Sequence, residues 1–157
     1  MTHPHVPDPD GAILAVDPGS SQSAWVWLDP DRIVDHAKEA NADVLAMLRI
    51  IGGTVVIEDI SPRQQPLGKE VADTLRWIGR FMEAAQRHAA VHLITRQAVT
   101  AYHIDGGTKD ADKRIRAAII ERYGGGNPVK RDHVLHGITA DQWSALAIGL
   151  AFQDGAR

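Results

Sequence analysis

Cysteine is absent from this 157-residue chain, which excludes disulfides and any thiolate zinc site and suits a reducing compartment. No apolar run approaches the roughly 20 residues that a membrane-spanning helix needs. The polar start over residues 1–10 also lacks the basic and apolar regions of a secretory signal. A cytoplasmic protein with no membrane partner is therefore expected. Low-complexity tracts and internal repeats are missing too, so the length points to one domain with a substantial core. A strong positive balance is likewise lacking. The formal net charge is −3, which argues against a uniformly basic nucleic-acid binder.

Charge is instead segregated along the chain. Residues 96–131 hold eight Lys or Arg against four acids, a net of +4, and so leave −7 for the remainder. A basic face set against an acidic remainder suits a phosphate backbone on one side and a carboxylate-rich metal site nearby. On charge alone, a solvated helix face accounts for it equally well.

Residues 1–11, with three Pro and two His, read as a flexible arm. Ile13-Leu14-Ala15-Val16 then reads as a strand buried on both faces, ending abruptly in Asp17 and the turn residues Pro18-Gly19-Ser20-Ser21. A charge in that position is costly without a partner, and a cation is a natural one. A solvated turn acid is the local alternative. Residues 23–28 and 32–36 supply two more strands, joined at Asp29-Pro30-Asp31, which predicts an antiparallel three-strand meander. Val44, Leu45, Leu48 and Ile51 recur at helical spacing within residues 40–51, and Gly52-Gly53 end that helix. Thr54-Val55-Val56-Ile57 is a second apolar strand that again terminates in acids, Glu58 and Asp59. Two parallel strands with carboxylates at the same end bring those groups together, where their repulsion favours a shared divalent cation.

Residues 61–68 read as a loop, and Val71, Leu75, Ile78, Met82 and Ala85 mark one face of a long helix. A strand over residues 91–95 makes the pattern mixed α/β. A short helix over residues 96–103, a turn at Asp105-Gly106-Gly107-Thr108 and a basic helix carrying Ile115, Ile119 and Tyr123 follow, stopped by Gly124-Gly125-Gly126-Asn127-Pro128. The final helix spans residues 140–152 with Thr139 as its expected N-cap. Asp141 falls on the same face as Ser144, Ala145 and Ile148, at the head of a core-facing stripe. A helix-dipole role explains that acid equally well. The four Trp residues, Trp25, Trp27, Trp77 and Trp143, read mostly as core or subunit-interface anchors.

Asp17, Glu58 and Asp141 together have the oxygen-rich character that binds Mg²⁺ or Mn²⁺. Two such ions activate water and stabilise the leaving oxygen of a phosphodiester. At these residues the chain resembles the RuvC-like Holliday-junction resolvases of the RNase H-like superfamily. ILAVDPGSS is similar to that family's opening strand with its leading catalytic Asp, and VVIED to its Glu strand. GGTKDADK resembles its Gly-containing loop and helix start in the DNA-facing region, and DQWSALAIGLA its acid-bearing last helix. Residues 75–81 resemble, more faintly, its dimer-forming helix. The resemblance runs in order from about residue 12 to 152.

What the resemblance implies is an RNase H-like fold over residues 12–153, a mixed sheet of meander plus parallel strands flanked by helices. It further implies a Mg²⁺-dependent endodeoxyribonuclease of the crossover-junction type, acting as a homodimer on branched DNA, with two ions per site. Asp17, Glu58 and Asp141 are the expected catalytic and metal-holding residues. Arg96, Lys109, Lys113, Arg114 and Arg116 are the expected DNA contacts. The chain also departs from the family pattern. Ser144 stands where a second acid of the last helix is usual, so Ser144, Asp59, Asp132, His136 or water is left as a further ligand, with binding of the second ion only in the presence of DNA as the other alternative. Ser61 and Pro62 occupy the place of a wedging aromatic, and Thr100 or Ala101 that of a lysine. His133 and His136 lack the companions of a zinc site. Alternatives of other kinds are an RNase H-like nuclease on other branched DNA or RNA, and a non-catalytic junction-binding protein. A nucleotide-binding actin-like fragment is more distant, since the chain is short for a two-lobed architecture.

Overall fold

The computed structural model describes residues 11–30, 32–61 and 67–156. Residues 1–10 of the expected arm, Asp31 of the predicted turn and residues 62–66 of the predicted loop lie outside the described residues. The β-branched and aliphatic runs form the sheet that their patterning predicts. β1 (Ile13–Asp17), β2 (Gln22–Asp29) and β3 (Arg32–Ala40) make the antiparallel meander. β4 (Gly53–Asp59) and β5 (Ala89–Thr95) extend it in parallel, giving the order β3-β2-β1-β4-β5.

β1 is central, and its all-apolar sequence follows from being covered on both faces. Leu14 and Val16 point, with Val55 and Ile57, into a core closed by α1 (Asn41–Leu48) and α2 (Lys69–Ala85). Ala15 and Val56 point the other way, toward α3 (Arg96–His103), α4 (Ala111–Arg122) and α5 (Gln142–Gln153). The result is three layers, helices on both faces of a mixed sheet. Trp25, Trp27 and Trp143 are buried core residues, and Trp77 packs at the edge of the α2 core.

Several element boundaries differ from the sequence expectation. β3 continues past His36 to Ala40 because its residues keep partners on β2 as far as Gln22, so α1 starts at Asn41; α1 also ends early, at Leu48, ahead of the Gly52-Gly53 expected to stop it, and Gly53 instead opens β4. α5 begins at Gln142, and Thr139 is not its cap. Ala140 takes a left-handed φ of 44°, which breaks the helical path between Thr139 and Asp141. The Gln142 side-chain oxygen instead reaches back and accepts from the Thr139 backbone N–H at 3.3 Å.

α5 lies against β1 and β2 at a distance that only glycine permits. A Cβ on Gly149 would stand 2.6 Å from Leu28 Cδ1 and 3.1 Å from Ala15 Cβ, both on fully buried residues. Gly149→Ala is expected to destabilise the fold by about 1–3 kcal/mol through overpacking. A urea titration reads this as a lower midpoint at unchanged slope. An unchanged midpoint would show that α5 has room to lift.

Candidate active site

Strand register builds the site. β1 and β4 run parallel with Val16 opposite Ile57, so the next residues, Asp17 and Glu58, end side by side. Asp17 also pairs with Ala24 of β2, and Ala24 with Lys38 of β3. Residues opposite one another share a face. A row Glu58, Asp17, Ala24, Lys38 therefore crosses the sheet on the side that carries α5.

Bringing acids together out of water has an electrostatic cost, and Asp17 carries most of it. Burial raises its pKa first, and the charges of Glu58 and Asp141 add to that, against lowering by Arg96 and Lys38; the net is a rise to about 7. The turn after Asp17 is held by a buried polar clamp. Gly19 N–H donates to Ser23 Oγ at 3.2 Å, Ser23 Oγ donates to Asn41 Oδ1 at 2.6 Å, and Asn41 Nδ2 donates to the Gly19 carbonyl at 2.9 Å. Gly19 is needed there, since a Cβ would stand 2.3 Å from the Gln22 carbonyl oxygen.

Glu58 is held above its ordinary pKa mainly by burial, with Arg96 opposing and Asp112 adding to the rise. Its Oε2 is buried and has no hydrogen bond; the Arg96 guanidinium stands 3.7 Å away, an ion-pair distance only. Arg96 is also ion-paired with Asp112 at the start of α4. Thr95, whose side chain accepts from Ala98 N–H at 3.2 Å, caps α3 and so fixes where Arg96 leaves the strand.

Asp141 stands just before α5, and its Oδ2 accepts from Lys38 Nζ at 2.5 Å. Ser144, Lys113, Arg116 and Trp143 line the same hollow of about 340 Å³ as Asp141. Glu58 borders a second, larger hollow of about 820 Å³ that runs along Ser61, Gln97 and Thr100 to the Gly106–Gly107 turn. Asp59 lines that hollow too, although strand alternation sends it off the face opposite to Glu58. His136 is occupied within its own loop, its Nδ1 lying 3.0 Å from the Val129 carbonyl oxygen, and Asp132 is exposed in that loop. His133 is likewise used locally, between the Gly125 carbonyl and the Leu135 N–H. Among the described residues, no three acidic or imidazole side chains already converge as a cation cage.

The five expected DNA contacts divide by environment. Lys113 and Arg116 flank Asp141, and Arg116 stacks its guanidinium 4.5 Å over the Trp143 ring. Lys109 is exposed beside the glycine turn. Arg114 is bound to that turn, donating to the carbonyls of Gly106 at 3.1 Å, Gly107 at 2.9 Å and Asp105. Arg96 belongs to the acid cluster itself. Sequence reading missed Lys38, Asp112 and the Asn41 clamp. For Lys38 a signal existed, because counting back along the meander from Asp17 sets it in the same row; for Asn41 there was none.

No family model matches the chain, and no curated protein matches it in sequence. Solved structures do match in shape. A Thermus thermophilus RuvC in complex with a Holliday junction substrate aligns with a TM-score of 0.62 at 17% identity, over 89% of this chain and 90% of that one. A second T. thermophilus RuvC structure aligns with a TM-score of 0.53 at 16% identity, over 89% and 92%. At such identities what is shared is the fold, which is RNase H-like α/β, as the resemblance in the sequence implied.

The raised Asp17 pKa has a sign that a stability measurement reads. Between about pH 4 and 7 the folded protein holds a proton on Asp17 that the unfolded chain has released, so stability falls as pH rises through that window and levels off above it. Asp17→Asn removes the charge, and in metal-free buffer it is expected to raise stability at pH 8 by on the order of 2 kcal/mol. That gain should shrink as pH is lowered to 4. A variant no more stable than the parent at pH 8 would mean that Asp17 is well solvated.

Proposed function

We propose that this protein is a divalent-cation-dependent DNA endonuclease that resolves four-way junctions by paired phosphodiester hydrolysis, with residues 12–153 as one nuclease domain. The observation that carries the reading is the register that sets Asp17 beside Glu58 at the end of two parallel strands, with Asp141 close enough to raise the Asp17 pKa. The fold shared with a RuvC solved on a Holliday junction substrate supports branched DNA as the substrate class.

The residues present fit a hard cation. Glu58 Oε2 is a buried oxygen without a hydrogen bond, and the three side chains offer only oxygen donors. Asp17, Glu58 and Asp141 would hold Mg²⁺ or Mn²⁺, two ions being the expectation from sequence. What such an ion supplies is positive charge that activates the attacking water and stabilises the leaving oxygen. The chain's own residues do the rest. Lys109, Lys113 and Arg116 attract and orient the phosphate backbone, and Arg114 keeps the glycine turn in shape for close approach. The carboxylate row repels DNA until its charge is compensated, which ties phosphate entry to cation binding. Symmetric cutting of a four-way junction calls for two sites related by a two-fold axis, and a homodimer provides them.

One observation favours a second reading. Asp141 is already neutralised by Lys38, which suits a junction-binding protein that has no catalysis. Incubating the protein with a four-way junction and a matching linear duplex, each with Mg²⁺ or EDTA, separates the two. Paired nicks in the junction, present with Mg²⁺ and absent with EDTA, are expected. Asp17→Asn should lower the cleavage rate by about 100-fold or more while leaving binding in place, and that binding should weaken steeply with salt. Binding without cleavage in both Mg²⁺ and Mn²⁺ would overturn the enzyme reading. Preferred cutting of another branched DNA or RNA would move the substrate class.

A further inference from the structure

Lys38 lies in the row of the candidate acids, on a strand that the proposed chemistry does not otherwise use. Its position is fixed by the sheet: Asp17 pairs with Ala24 and Ala24 with Lys38, so one strand separates the ammonium from the central carboxylate on the same face. Its Nζ stands 2.5 Å from Asp141 Oδ2, a short charge-assisted contact across 103 residues of sequence. The side chains are 37% and 53% exposed, so as a surface ion pair alone the contact contributes little to stability. Its location gives it another consequence. Ser144, facing the same hollow as Asp141, brings a neutral hydroxyl there and no negative charge.

The charges of the row can be balanced. Asp17, Glu58 and Asp141 carry three negative charges when ionised, and Lys38 returns one. Arg96 is shared with Asp112, so that pair is neutral. Lys113 and Arg116 also border the Asp141 hollow, Arg116 with its guanidinium stacked on Trp143; counted within the row itself, the remaining two negative charges are matched by a single divalent ion. A second ion would leave the row positive, and it would have to displace an ammonium already in contact with one of its three carboxylates.

We propose that Lys38 is a built-in counter-cation of this site, holding Asp141 and taking the charge of one divalent ion, so that the protein binds one such ion per chain. The proposal rests on the reading of Asp17, Glu58 and Asp141 as a cation site. Lys38 acts as a positioning residue, through Asp141, and Asp17 and Glu58 are the carboxylates left without an ammonium contact that would hold the ion.

Mn²⁺ binding to the full chain tests this without reference to cleavage, by calorimetry together with the paramagnetic signal of free Mn²⁺. One ion per chain is expected for the wild type. Lys38→Gln, which removes the charge and keeps a polar side chain at a half-exposed position, is expected to bind two, and Lys38→Arg to return to one. A wild type that binds two ions, or a Lys38→Gln protein that still binds one, overturns the counter-cation while leaving the cation site standing. If neither protein binds Mn²⁺, the cation-site reading falls and this proposal falls with it.

Discussion

The parallel register of β1 against β4 is the constraint on which the rest of the site depends. A parallel pair aligns the C-terminal ends of its strands, so two apolar runs that each finish in an acid cannot avoid setting those acids together. The apolar residues enforce this. Leu14, Val16, Val55 and Ile57 fill one core and Ala15 and Val56 the other, and a slip of one residue would exchange the two sets. Hydrophobic burial thus holds in place a carboxylate pair that electrostatics alone would separate. The raised pKa of Asp17 and the buried Glu58 oxygen that has an ion-pair contact but no hydrogen bond are the local signs of that opposition.

α5 brings a third acid, Asp141, near enough for its charge to act on Asp17. Gly149 lets the helix backbone settle onto Ala15 and Leu28, and the rest of the helix is buried along nearly its whole length. A helix so tightly seated has little freedom to slide. Its first turn is fixed too, through Gln142, whose side-chain oxygen meets the Thr139 N–H at 3.3 Å and His36 Nδ1 at 2.8 Å. Asp141 is therefore delivered to the Asp17 end of the sheet by packing some two turns away. On the other flank α3 does the same for Arg96, with the Thr95 cap at its start and His103 Nε2 meeting the Ala147 carbonyl oxygen of α5 at 2.9 Å.

The parts of this arrangement legible in the sequence are those written in local pattern. An apolar run ending in Asp17 and another ending in Glu58 specify strand, burial and terminal charge at once, and the meander between Asp17 and His36 follows from its turn residues. Trp25, Trp27 and Trp143 fall in the core as their size predicts. What was not legible depends on pairing across distance. The start of α5 turns on a left-handed Ala140 and on a glutamine side chain reaching backward, neither of which has a propensity signal. The Ser23–Asn41 clamp joins two ordinary polar residues 18 positions apart. Arg96 and Arg114 were readable as basic residues, but their engagement with Glu58 and with the glycine turn depends on neighbours that only folding supplies.

The cations of this site are therefore of two kinds, and the distinction bears on how a phosphate reaches it. Arg96 and Lys38 are spent on the protein's own carboxylates, Glu58 and Asp112 in one case and Asp141 in the other. Lys109, Lys113 and Arg116 have no carboxylate among the ion pairs described, and two of them border the hollow that holds Asp141. Under the proposed function, an approaching phosphate would meet positive charge first at the rim, on Lys109, Lys113 and Arg116, while Asp17, Glu58 and Asp141 keep the interior negative. A duplex that stays straight would keep its backbone at the rim. On that same proposal, a strand that bends sharply, as at a branch point, would lower one phosphate toward the acids while its neighbours stay on the basic residues. A preference for branched over linear DNA would then arise from shape, with the central negative charge acting as the barrier that an unbent backbone does not overcome.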